Sequence, residues 1–174
     1  MIRFIAGVMI LGFCFLSSGA SAGYTLYLRS FGEWTVFCSL DEPTKRKTCL
    51  LSAPAPTMPA PAVGSRVQID IARSKNGGPV VRLRIHQLVN PQKPVVLRID
   101  GYADHAAHAP RTGEIDWSGR EASELLGEMT KGGTLAVRFF APGEATARER
   151  FFSLAEFTKA LATYRETAKR IGAE

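Results

Sequence analysis

Three sets of side chains in this sequence have types and spacings that could do chemistry. The first is Asp104, His105 and His108. Two histidines three residues apart reach one metal ion where the segment turns helically, and Asp104 or His86 would be a third ligand. No fourth ligand is spaced to close such a site, and solvated loop histidines have the same pattern. His86 beside Asp100 on a sheet face would imitate an acid–base pair, yet no nucleophile is placed with it. The second set is Cys38 and Cys49, read most simply as one disulfide in an oxidising space. Two free buried thiols and a metal pair are the alternatives. The third set is Arg66, Arg82, Arg84 and Arg98, which Arg138 can join. All fall at polar positions of alternating segments. Arginine's planar fork suits carboxylate and phosphate groups. If the strands carrying them are adjacent, that face attracts anionic phospholipid, acidic glycans or an acidic protein. The competing reading is a solvated face of local ion pairs, each worth about 0–1 kcal/mol.

Composition and missing motifs narrow the chemistry. The chain has 174 residues, with 22 Lys plus Arg against 16 Asp plus Glu and a net charge of +6. Hydrophobic residues make up 45% and charged residues 22%. That balance excludes a wholly disordered chain, and the length suffices for one domain with a real core. Gly19-Ala20-Ser21-Ala22-Gly23 matches a nucleophile elbow but lacks the strand-turn-helix context. There is no Gly-Lys-Ser or Gly-Lys-Thr phosphate loop, no dinucleotide fingerprint after a strand and no His-Glu-x-x-His. The sequence therefore reads as a non-enzymatic protein without a cofactor. Nucleic acid is a poor partner, because aromatic residues are not interleaved with the basic ones.

The first residues supply a compartment. Arg3 precedes an apolar run from Phe4 to Leu16, and Ala20-Ser21-Ala22 offers small residues to a signal peptidase. The run is too short to span a bilayer well. Residues 1–22 are read as a signal peptide and residues 23–174 as one domain, periplasmic or secreted. Phe13 before Cys14 argues against a lipobox. Cleavage leaves only Cys38 and Cys49. A bond between them closes a short loop and contributes roughly 2–3 kcal/mol.

The remaining pattern is mostly strands. Phe31–Ser39 and Thr48–Ser52 read as partners, with Trp34, Val36 and Cys38 on one face. Residues 53–64 are rich in Pro and Ala and read as an extended spacer, or as a ligand for a proline-reading module. Val67, Ile69 and Ile71 alternate, and Val81, Leu83 and Ile85 repeat the pattern around Lys75-Asn76-Gly77-Gly78. Side-chain parity decides the register. A two-residue loop would oppose Ile71 to Arg82. A three-residue loop pairs Ile71 with Val81 and puts Gly77 where a left-handed residue is wanted; a five-residue loop or a bulge keeps the same parity. Asp70 then faces Arg82 on the outer surface. Val95–Ile99, Leu135–Phe139 and Ala147–Phe152 are further strands, and residues 102–113 read as a loop. Ser118-x-x-Glu121 and Ser153-x-x-Glu156 read as capping boxes of two helices. The second helix carries an apolar stripe through Leu154, Phe157, Leu161, Tyr164, Ala168 and Ile171. Together these elements indicate a β-sandwich or curled antiparallel sheet with helical additions.

Several of these segments resemble the bacterial invasion-associated locus B family. Trp34-Thr35-Val36-Phe37-Cys38 followed by Cys49-Leu50 resembles its opening, and Leu97-Arg98-Ile99-Asp100-Gly101 its central strand and turn. Leu125-Leu126, Lys131-Gly132-Gly133-Thr134-Leu135 and Phe152 to Leu161 resemble its closing part. The match runs over residues 31–164. It implies a mainly β, immunoglobulin-like antiparallel sandwich with two short helical additions, including a C-terminal helix. It also implies an envelope or secreted protein linked to host-cell invasion. The family often has a second cysteine pair after the Asp-Gly turn. This chain has His105 and His108 in that region, and the family brings no catalytic residues. The expected partner is an acidic envelope component or protein, with peripheral membrane association as one form of it. The alternatives are a metal-binding periplasmic protein using His105 and His108, and a structural envelope component.

Overall fold

The computed structural model describes residues 23–54, 67–74 and 76–173. The expected signal peptide, Arg66 and all but the first two residues of the 53–64 segment lie outside them.

Ten strands and two helices follow in order: β1 Gly23–Phe31, β2 Trp34–Asp41, β3 Arg46–Ala53, β4 Val67–Arg73, β5 Pro79–Ile85, β6 Val95–Ile99, β7 His105–Ala107, β8 Glu114–Ser118, α1 Gly119–Met129, β9 Thr134–Phe139, β10 Arg148–Ser153 and α2 Phe157–Ile171. They form two open antiparallel sheets, a six-stranded one in the order β1-β2-β3-β4-β5-β8 and a four-stranded one in the order β10-β9-β6-β7. The expected mainly β architecture with two helices, one of them C-terminal, is the one observed.

Alternation decides which faces meet. Val67, Ile69 and Ile71 line up with Ile85, Leu83 and Val81. These residues share one core with Leu97, Ile99, Leu135, Val137 and Phe139 of the smaller sheet. A fully buried aliphatic or Phe side chain contributes roughly 1.5–3 kcal/mol there. α2 covers the same inner face further along: the Phe157 ring meets Trp34 edge-on with centroids 4.7 Å apart. The Trp34 indole N–H donates to the Ser153 carbonyl at 2.8 Å, so this core tryptophan is satisfied.

The β4–β5 register is the parity-allowed one, with Ile71 opposite Val81. The Ser74 N–H donates to the Gly78 carbonyl at 2.8 Å, leaving a three-residue loop in which Gly77 has φ +80°. Asp70 does lie opposite Arg82. It is not on the outer surface, however: only 1% of it is exposed. Cys38 lies directly opposite Cys49 on neighbouring strands, and the two are joined by a disulfide.

Neither capping box forms. Ser118 is still held in β8 opposite Val80, and Ser153 ends β10 opposite Thr134. Their backbones belong to ladders, so neither side chain turns back onto a helix. α1 nonetheless starts after Ser118, while α2 starts only at Phe157, beyond a turn. The apolar faces are as expected, through Ala122, Leu125, Leu126 and Met129 in α1 and Phe157, Leu161, Tyr164 and Ala168 in α2.

Candidate functional site

The arginines singled out above do not share a face. Arg82 and Arg84 stand on β5 in the larger sheet, and Arg98 and Arg138 on β6 and β9 in the smaller one. Both sheets turn their apolar faces to one core, so the two arginine pairs point away from it on opposite sides. The condition that the strands be adjacent is met for β4 and β5 but not for β6.

These arginines are also neutralised from within. Arg82 forks onto Asp116 with two bonds of 2.6 Å, and its Nε lies 3.1 Å from Glu114. Arg84 reaches diagonally to the buried Asp70, whose other oxygen accepts from Gln68 at 2.9 Å. Asp70 takes Arg84 rather than Arg82 because β8, on the far side of β5, has already claimed Arg82. Arg98 forks onto Asp104 at 2.6 and 2.7 Å, and Arg138 bonds Glu149 at 2.7 Å. The hydrogen bond from Arg82 holds the Asp116 carboxyl below the usual range, and Arg98 does the same to Asp104.

The histidines do not converge. His105 lies in the extended strand β7, so its spacing to His108 is not helical. Its Nε2 is 2.6 Å from Glu128 of α1, whereas His108 Nδ1 is 3.2 Å from the Pro91 carbonyl. His86 Nε2 is 3.3 Å from Gln68, and Asp104 is occupied by Arg98. Among the described residues no group of three His, Cys, Asp or Glu is placed to hold a metal ion, and His105 and His108 make separate contacts.

Arg29, Lys93, Arg111 and Lys131 also form no ion pair among the described residues, but the largest group of cations without a carboxylate gathers at the C-terminal end of α2. Arg165, Lys169 and Arg170 on the helix, Arg46 and Lys47 on β3 and Arg73 at the end of β4 form no ion pair among the described residues. All six are exposed. The Lys47 ammonium donates to the Ile171 carbonyl at 3.0 Å, which joins the β2–β3 turn to the helix end. Lysines and arginines suit that end because the helix dipole places negative potential there.

Beside this end lies a cleft of about 450 Å³ between α1, α2 and the β4–β5 hairpin. Ile71, Leu126, Leu161 and Ala168 give it an apolar lining, and Arg73, Arg165 and Lys169 supply charge. Tyr164 lines it too and is 4% exposed. Burial pushes its hydroxyl up to about 12, against the opposing influence of Arg73 and Arg165. Sequence reading placed Tyr164 in the helix stripe and missed its role as a cleft wall. It also missed the free cations, although Lys169-Arg170 in a last helical turn was a visible signal.

Comparisons with known proteins bear on the fold. No family model and no curated protein matches the sequence. Among solved structures, the chain is similar to the crystal structure of invasion associated protein b from Bartonella henselae. The TM-score is 0.60 at 18% identity, over 82% of this chain and 99% of that one. That likeness is one of fold. Among the described residues no helix is long and apolar enough to cross a membrane.

Proposed function

We propose that this chain is a non-enzymatic envelope or secreted protein that binds an acidic partner through the cationic end of α2. The observation that carries the reading is the contrast between two sets of cations. Arg82, Arg84, Arg98 and Arg138 are each held by a carboxylate of the same chain. Arg46, Lys47, Arg73, Arg165, Lys169 and Arg170 have none among the described residues and face water. Unpaired positive charge concentrated at one end steers an acidic partner to that end. The Cys38–Cys49 disulfide supports a place outside the cytoplasm. The description of the similar solved structure as invasion associated brings host-cell invasion into the same proposal.

Heparin-affinity elution tests the reading. Exchanging Arg46→Glu and Arg170→Glu is expected to move elution to clearly lower salt, while Arg82→Gln and Arg98→Gln leave it in place. Equal elution of all forms would refute the assignment to this end.

A further inference from the structure

We infer that the cleft between α1, α2 and the β4–β5 hairpin binds a small amphiphilic anion, an alkyl carboxylate being its simplest form. The inference rests on the acidic-partner reading and names a ligand class for one part of that surface.

Three features of the cleft point to such a ligand. Its apolar wall of Ile71, Leu126, Leu161 and Ala168 suits a hydrocarbon tail. Each CH₂ buried against such a wall gains about 0.8 kcal/mol. Its charged side carries Arg73, Arg165 and Lys169, and no acidic residue lines it. The Arg73 Nε donates to the Gly77 carbonyl at 3.3 Å, which holds that side chain at the hairpin. The third feature is Tyr164, a nearly buried side chain that lines the cleft and carries a hydroxyl donor. A phenol O–H is a hydrogen-bond donor, and a carboxylate oxygen would accept from it. Arg73, Arg165 and Tyr164 line the same cleft, so a carboxylate held there has the phenol and both guanidinium groups on its walls. The volume falls within the ~300–1,000 Å³ of small-molecule sites. A bare anion would leave the apolar wall wet, and a neutral amphiphile would leave the cations unused.

Calorimetry with decanoate below its micellar concentration, at near-physiological salt, tests the inference. Acetate and octyl glucoside serve as the head-only and neutral comparators. One decanoate per chain is expected, bound at least tenfold more tightly than either comparator. Arg73→Gln with Arg165→Gln should weaken it at least tenfold while the melting temperature holds. Ser123→Trp, at an exposed α1 position on the cleft, should abolish it by filling the space. Absence of decanoate binding, or binding unchanged in both variants, overturns the inference. If heparin retention survives that failure, the acidic-partner reading stands and only the cleft assignment falls. If decanoate binds while heparin retention is absent or shared equally by all charge variants, the broader reading falls instead.

Discussion

The Arg82 guanidinium is gripped by both carboxylate oxygens of Asp116, each at 2.6 Å, across the β5–β8 pair. This edge of the larger sheet therefore presents a matched pair rather than a bare cation. Arg84 and Asp70 make a different kind of pair, because Asp70 is 1% exposed. Removing the partner of a buried carboxylate leaves charge uncompensated. Arg84→Gln is therefore expected to cost about 2 kcal/mol in urea unfolding, with Gln68 still holding Asp70 and solvent screening reducing the loss. Arg98→Gln, which breaks an exposed pair, should give a distinctly smaller change. Equal costs would show that burial of Asp70 does not matter.

Two glycines separate the cost of crowding from that of backbone conformation. Gly113 has φ +73°, and a Cβ there would lie 2.6 Å from the Ile85 carbonyl oxygen. Gly143 has φ +78° with nothing within 4 Å. Gly143→Ala is expected to cost about 1 kcal/mol through conformation alone. Gly113→Ala should cost about 2–4 kcal/mol, since backbone must also move. Thermal melts of the two variants compare them directly.

The disulfide makes a third prediction. Replacing Cys38 and Cys49 together by Ala is expected to destabilise the chain by about 2–3 kcal/mol, as is reduction. Both sulfurs are buried beside Trp34 and Val36 in the core, so the variant also loses packing. A melt with and without reductant should shift for the natural chain and not for the variant.

Acid should destabilise the fold in a definite window. Hydrogen bonds from the Thr134 and Gly133 N–H groups lower the Asp100 pKa, as Arg98 lowers that of Asp104 and Arg82 that of Asp116. A carboxylate lowered in the folded state contributes stability above its unfolded value, about 4. That contribution is lost as pH falls through the folded value. The melting temperature should therefore be flat near neutrality and fall below about pH 4. Asp100→Asn should flatten the acid limb and lower the neutral melting temperature. An unchanged acid limb would contradict the assignment.

How much of this was legible in the sequence follows the physics of each signal. The β4–β5 register came from parity alone, because one apolar face must be buried. The helical faces came from spacing. β8 was missed although Ile115 and Trp117 alternate with Glu114 and Asp116, because five residues between a loop and a helix give a weak period. That omission had consequences, since β8 brings the acids that neutralise Arg82. β1 was missed too: Tyr24, Leu26 and Leu28 are exposed on an edge strand, and their pattern does not mark a buried face. The capping boxes failed because a local motif competed with strand pairing and lost. The cationic end was not legible as a cluster. It joins residues 46–47, 73 and 165–170, which only the packing of α2 brings together.

On the proposed reading, unpaired charge at the α2 end, and not the sheet arginines, meets an acidic partner. The most direct test of that reading is binding to vesicles of phosphatidylcholine with phosphatidylglycerol, followed across a salt series. Binding is expected at low salt and should fall as salt rises, because surface charges are screened beyond roughly 8–10 Å. That binding should be lost in the Arg46→Glu, Arg170→Glu form and retained in the Arg82→Gln, Arg98→Gln form. Binding lost instead in the sheet variant, or absent from the natural chain at low salt, would contradict the reading.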